Sequence, residues 1–191
     1  HVHWTEGGSD FWPGEYSKTW VLAHPEYDDI LDGIRSGRVF VSTGDLVSEL
    51  WVTASVDGAS AEIGGELEVG SGDEVEVTLR IRDPEGPNAN GDRAGVARVD
   101  LIVGEVLGRL ADPTVDTNPT TRVVRRFTEA DWDRDGEWLT ISARLEVSAA
   151  DRYLRVRGTN GTEAEPMLDP RGEDPWSDLW FYSNPIFLRV R

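Results

Sequence analysis

Three aspartates cluster in one short stretch in a pattern that could bind calcium. Asp131, Asp133 and Asp135 alternate along the chain, and Gly136 follows directly. This spacing matches positions one, three, five and six of an EF-hand loop, whose acidic side chains coordinate Ca²⁺. Position twelve would be Ser142, where that loop needs a bidentate glutamate. The stretch therefore predicts either a calcium site or an acidic turn between strands.

Further possible metal ligands lie at the start of the sequence. His1 and His3 form the one close histidine pair, and His24 is the third histidine. A protein metal site for zinc uses three or four ligands, so this pair alone would not complete one. The two alternatives are part of a metal site and an ordinary, unstructured chain end.

The eight tryptophans suggest a second kind of chemistry, in which aromatic rings stack on sugars. Trp51 is the best candidate for an exposed ring, because Leu50 and Val52 would face the core of the same strand. This favours a carbohydrate- or surface-binding module as one possible function. The alternative is that the tryptophans cover the hydrophobic core.

Composition and missing motifs exclude several classes of protein. No nucleophile elbow, P-loop or dinucleotide glycine fingerprint occurs, and there is no cysteine. The net charge of −17 argues against nucleic acid and anionic membranes as partners. No apolar run approaches the roughly 20 residues of a membrane helix, so we expect a soluble chain. The 191 residues suffice for one well-buried core.

The elements that position these residues begin with a helix and a strand. Tyr27, Ile30, Leu31 and Ile34 recur at helical spacing and predict a helix over residues 25–37 with one apolar face. The run VFVST then predicts a strand over residues 39–43. We expect the apolar face to be covered by the sandwich, by the segment His1–Tyr16, or by a second copy in a homo-oligomer.

From Glu49 onward the sequence alternates between apolar and polar residues, with turn residues between the runs. This predicts a mainly β fold: an antiparallel two-layer β-sandwich, Ig-like or jelly-roll-like, of about seven to nine strands. An irregular N-terminal segment and one short α-helix would precede it. Residues 84–95 and 159–178 read as long loops, and we expect Trp176 and Trp180 to pack over an edge of the sandwich.

Two segments resemble a known family. The run IRSGRVFVSTGDL and the ending WSDLWFYSNPIFLRV are similar to the C-terminal part of PHP-type metal-dependent phosphoesterases, nearest to the carbaryl-hydrolase-like branch. The PHP name stands for the polymerase and histidinol phosphatase superfamily. The similarity covers Tyr27 to Gly44 and Trp176 to Phe187.

The resemblance implies a division of the chain and a role for each part. Residues 1–47 would be the end of a distorted βα barrel, and residues 48–191 its C-terminal β-sandwich. In this family the barrel binds divalent metals such as Mn, Zn or Fe through His, Asp and Glu. His1 or His3 would correspond to the histidine of an Asp-x-His motif, and which of the two stays open.

The expected function follows from what the chain lacks. Nearly the whole barrel is missing, so we expect no catalysis by this chain alone, because a metal hydrolase needs several ligands and an activated water. The chain would be an accessory region that packs on the parent enzyme and shapes its active site. Its main partner would be the barrel of the same protein.

Overall fold

The computed structural model describes residues 11–109, 112, 114–115, 117–164, 166 and 173–191, and it confirms a mainly β fold. Two sheets pack face to face as a two-layer β-sandwich. The strands are β1 Ser17–Val21, β2 Val39–Thr43, β3 Glu49–Val56, β4 Ala59–Glu62, β5 Glu66–Val69, β6 Glu74–Arg82, β7 Arg98–Glu105, β8 Arg122–Phe127, β9 Asp133–Asp135, β10 Trp138–Glu146, β11 Arg152–Thr159, β12 Trp180–Ser183 and β13 Ile186–Val190.

The larger sheet has eight strands and the smaller has five. In the larger sheet β1, β2, β12, β11, β13 and β5 follow one another, and β7 pairs with both β11 and β8. In the smaller sheet the order is β4-β3-β6-β10-β9. All pairs are antiparallel except β13 with β5, which are parallel. The predicted antiparallel sandwich is therefore confirmed.

The predicted number of about seven to nine strands is too low, because the described residues form thirteen. The long strands were predictable: β6 and β8 have the bounds that their alternation indicates. The additional strands are only three to five residues long. A run of that length holds too few alternations to be told from a turn.

The core lies between the two sheets and is formed by the inward-pointing side chains of the longer strands. In β6, for example, every second residue from Val75 to Ile81 is fully buried, and the residues between them are polar. Strand β3 alternates in the same way and buries Leu50 and Val52. Phe181 and Phe127 are the largest fully buried side chains and come from the larger sheet. One continuous cluster of apolar side chains results.

The predicted helix forms the connection between β1 and β2. Helix α1 covers Tyr27–Arg35, two residues shorter at each end than the predicted 25–37. It ends because Gly37 adopts a positive φ of 74°, the left-handed conformation expected of a helix-terminating glycine. It is the sole α-helix of the described residues and is too short and polar to cross a membrane.

The segment before the helix is not entirely irregular, which corrects the sequence prediction. Strand β1 lies there and pairs with β2, which in turn pairs with β12. The predicted boundary between residues 47 and 48 falls where the chain passes from the larger sheet to the smaller. Phe40, before this boundary, and Leu50, after it, belong to the same apolar cluster.

Candidate functional site

Helix α1 makes its closest contact with the sandwich through a glycine. Gly33 is the buried residue of the helix. A Cβ atom built on it would lie 2.8 Å from Val21 Cγ1 and 3.1 Å from the Leu22 carbonyl oxygen. Only a residue without a side chain allows this close approach. The helix is therefore seated on the end of β1 by Gly33.

The apolar face that the sequence predicts is exposed as a consequence. Tyr27 is 76% exposed, Ile34 52% and Ile30 39%, while Leu31 is half-buried. These residues stand at helical spacing, so they form one stripe on a single face, which we call the α1 stripe. The described residues therefore leave most of this face uncovered, and its coverage by residues 1–10 or by a second copy stays a prediction. Contiguous exposed apolar patches are typical of interaction surfaces.

Acidic residues flank the α1 stripe. Asp28 and Asp29 lie in the first turn of the helix and are exposed. Asp32 is paired with Arg38, with 2.9 Å between Oδ2 and Nη2. A surface that covers the stripe would thus meet apolar side chains next to uncompensated carboxylates. This favours a partner surface with basic residues at its rim.

The two segments that resemble the PHP-type family contact each other at the end of the helix. Asn184 Nδ2 donates to the Gly37 carbonyl oxygen at 3.1 Å, and the Asn184 backbone N–H donates to the Val39 oxygen. The Pro185 carbonyl accepts from the backbone N–H of Gly64 at 2.9 Å. A Cβ on Gly64 would lie 2.4 Å from the Ser36 oxygen. These contacts fix the orientation of α1 relative to both sheets.

A groove of about 340 Å³ lies beside the helix, between the two sheets. Its lining is mostly apolar and includes Trp20, Leu22 and Phe40 from the larger sheet and Leu50 and Trp51 from the smaller. Trp20 stacks on Phe40, with 5.8 Å between ring centroids, and its Nε1 donates to Ser42 Oγ at 3.0 Å. These two contacts fix the ring of Trp20 in the wall of the groove.

Trp51 lies where the alternation predicts, with its ring 40% exposed on the outer phase of β3. Arg80 stands directly opposite it on β6 and stacks over the ring of Trp138, 4.4 Å from its centroid. The two tryptophans therefore do not form a flat row of free rings. A binding role for Trp51 stays a prediction.

The three predicted calcium ligands have different local structures. Asp131 belongs to a 3-10 turn, Glu129–Asp131, and its Oδ2 accepts from the backbone N–H and the hydroxyl of Thr128. Asp133 and Asp135 lie in β9 and are exposed. Within the residues that the structure describes, no group of three or more His, Cys, Asp or Glu is placed to hold a metal. The calcium site stays a prediction.

His1 and His3 lie outside the described residues.

One charged cluster that the sequence did not indicate lies on the larger sheet. Asp100 is 1% exposed and accepts from Arg126 Nε at 2.7 Å and from Arg157 Nη2 at 3.0 Å. Burial raises the pKa of this carboxyl, but the hydrogen bonds from both arginines outweigh burial and hold the pKa below its ordinary value. The same arginines donate to the Ala164 carbonyl oxygen, and Arg98 donates to Thr162 and Glu163.

The Asp100 cluster, which we define as Asp100 with Arg98, Arg126 and Arg157, is therefore a structural anchor. It joins three strands of the larger sheet to the chain that follows β11. Trp176 and Trp180 are both buried, but Trp180 lies within β12, between β2 and β11, and so does not cover an edge strand as predicted. Trp180 is buried near two of these guanidinium groups, and Trp176 packs edge-on against Phe11 and Tyr16.

Comparison with known proteins adds no assignment to these features. No protein-family model matches the sequence, and no curated protein matches it significantly.

Proposed function

We propose that this chain is an accessory β-sandwich region of a PHP-like, metal-dependent phosphoesterase or hydrolase. In this role it packs on the catalytic domain of its parent enzyme, helps to shape the mouth of the active site and does no catalysis by itself. The metal ions, Mn, Zn or Fe, would be held mainly by ligands of that catalytic domain. The described residues provide no group that could hold them.

The observation that carries this proposal is the exposed α1 stripe. Tyr27, Ile30 and Ile34 give it three large apolar side chains at helical spacing. Burying such side chains in an interface is favourable by roughly 25 cal/mol for each Å² of apolar area. The stripe also lies in the segment that resembles the end of the family's barrel, where the remainder of a barrel would pack.

The contacts around Asn184 support the same proposal. They join the helix–strand segment to the C-terminal Ser-Asn-Pro-Ile segment through two hydrogen bonds of 3.1 Å. The two parts of the resemblance thus belong to one structural unit. A unit of this kind can hold α1 rigidly while its outer face docks on a partner.

The first test concerns catalysis by the chain alone. The purified protein is incubated with p-nitrophenyl phosphate and, separately, Mn²⁺, Zn²⁺ or Fe²⁺. We expect the release of nitrophenolate to match controls that contain only the metal. Hydrolysis well above these controls would overturn the non-catalytic part of the proposal.

The second test concerns docking. The reading frame upstream of the His1 codon is sequenced, and we expect it to encode a segment rich in His and Asp. In the protein that includes this segment, Ile30→Asp with Ile34→Asp should lower hydrolysis of the ester at least about tenfold, through lost apolar burial. Val106→Asp with Leu107→Asp is the matched control, because these two exposed apolar residues follow β7 and lie outside the α1 stripe, and it should retain activity. Full activity of the isoleucine variant would contradict the proposal.

A carbohydrate- or surface-binding module is the alternative, supported by the exposed ring of Trp51. It predicts that soluble polysaccharides shift the tryptophan fluorescence of the chain and that Trp51→Ala abolishes the shift. Trp12→Ala is the control, since Trp12 is also exposed but lies outside both sheets. No shift with any polysaccharide would eliminate this alternative.

A further inference from the structure

Strand β1 is an edge of the larger sheet, and half of its backbone groups face away from its partner. The Tyr16 carbonyl accepts from Gly44, and the Leu22 N–H donates to Arg38, so the even-numbered residues face β2. In an antiparallel pair, residues alternate in this respect, so the odd-numbered residues of β1 point both their N–H and their C=O groups away from β2. Ser17, Thr19 and Val21 therefore present these groups on the open edge.

No described residue pairs with that edge. The sheet order ends at β1, and no hydrogen bond in the described part of the chain reaches the backbone of Ser17, Thr19 or Val21. Ser17 and Thr19 are exposed. A row of unpaired donors and acceptors at strand spacing is a template for one more strand.

The smaller sheet is open on the same side. Strand β4 pairs only with Thr53–Val56, so no strand of the described residues pairs with the first half of β3, residues 49–52, on that side. The apolar groove lies between this half of β3 and the end of β1. An added strand on β1 would thus run beside a groove that already contains Trp20 and Trp51, and alternate side chains of the strand could enter it.

We propose that the open edge of β1 binds an extended segment of a partner polypeptide by strand addition. The segment carries apolar side chains at alternate positions and basic residues at its ends. Unpaired N–H and C=O groups at strand spacing are complementary to an extended peptide backbone. The net charge of −17 and the acidic start of α1, just beyond β1, favour a basic segment.

The same charge disfavours a second copy as the occupant, because pairing β1 with β1 would bring two chains of charge −17 together. The proposal is also independent of the proposed function. That function requires the α1 stripe to be covered, whereas strand addition requires only the edge of β1 and the groove.

The test uses a synthetic peptide of alternating valine and threonine with lysines at both ends. Its binding to the full chain is followed by tryptophan fluorescence and by calorimetry. Thr19→Pro removes a backbone N–H from the open edge without breaking a bond to β2, and we expect it to weaken binding about tenfold or more. Thr19→Val is the matched control, keeps the N–H and should bind within about twofold of the parent. Equal affinity of the two variants, or no binding of the peptide, would overturn the proposal.

Backbone amide hydrogen exchange distinguishes the possible occupants. In the free protein at low concentration, the amides of Thr19 and Val21 should exchange fast and those of Lys18 and Trp20 slowly. The peptide should then slow Thr19 and Val21. Slow exchange of both without the peptide would identify the chain's own residues as the occupant. Slowing that depends on protein concentration would identify a second copy. Either result would overturn the proposal.

Discussion

The Asp100 cluster and the α1 stripe depart in opposite ways from the usual distribution, in which charged groups are exposed and apolar groups are buried. In the cluster, a carboxylate that is 1% exposed is hydrogen-bonded by two arginines that reach it from neighbouring strands. In the stripe, Tyr27 and Ile34 are more than half exposed and have no covering element among the described residues. One region buries charge, and the other exposes apolar surface.

The difference shows which groups must find their partners within the chain itself. A buried charge without partners costs several kcal/mol, so the chain must supply those partners itself in order to fold. An exposed apolar side chain costs far less, since much of any protein surface is apolar. The chain can therefore leave the stripe for another molecule. We therefore expect substitutions in the cluster and the core to change stability, and substitutions in the stripe and the open edge to change binding.

The largest effect is expected from removing the central carboxylate. Asp100→Ala should lower the free energy of unfolding by about 3–5 kcal/mol, because it leaves buried guanidinium groups without their counter-charge. Urea denaturation followed by tryptophan fluorescence measures this value. Glu74→Ala is the control, since Glu74 pairs with Arg144 on an exposed surface, and it should cost at most about 1 kcal/mol. Equal costs would show that the cluster is not an anchor.

A change at Gly64, which packs against the C-terminal end of α1, should have the next largest effect on the free energy of unfolding. Gly64→Ala combines a positive φ of 83° with a Cβ 2.4 Å from the Ser36 oxygen, so we expect a loss of about 3 kcal/mol. Gly72→Ala also has a positive φ, 90°, but open space around its Cβ, and should cost only about 1 kcal/mol. The difference between their urea midpoints isolates the steric contact. Identical midpoints would contradict the close packing of α1 on the sandwich.

The pH dependence of stability gives a smaller signal from the same cluster. The pKa of Asp100 is lower in the folded protein, so its contribution is present above about pH 4 and is lost as the pH falls through the folded pKa. Below pH 4, the parent should therefore lose up to about 1.4 kcal/mol per pH unit more than Asp100→Asn. Urea midpoints at several acidic pH values measure both slopes. Parallel slopes would show that the carboxylate is not stabilised by its arginines.

The smallest effect on stability is expected at the α1 stripe. Ile34→Asp should change the free energy of unfolding of this chain by no more than about 0.5 kcal/mol, because the side chain is exposed. Leu50→Asp is the buried counterpart and should prevent folding. A large loss of stability for Ile34→Asp would mean that the stripe is covered within the chain. The contrast between the two regions would then disappear.

Much of the secondary structure could be predicted, because long runs repeat the pattern that defines them. The nine residues of β6 alternate throughout, and Tyr27, Ile30 and Ile34 repeat at helical spacing. The outward position of Trp51 followed from the same alternation. Strands β4 and β9 were missed, since four and three residues show no clear period.

The candidate sites were predictable only in part. The sequence indicates that α1 has an apolar face, but the seating of Gly33 on β1 decides that this face is exposed. The Asp100 cluster gave no signal, because its members are as far apart in the chain as Arg98 and Arg157. The pairing of β7 with β11 places Asp100 opposite Arg157, and the pairing with β8 places it opposite Arg126.

The sequence alone thus determined the local features of this protein: the class of fold, the helix and its apolar face, the longer strands and the phase of Trp51. Hydrophobic periodicity encodes these features within a few residues. The tertiary structure alone decided that the described residues leave the edge of the larger sheet at β1 unpaired, how α1 is oriented, and which arginines reach Asp100. These features depend on the register between strands that are distant in the sequence, and no local pattern specifies that register.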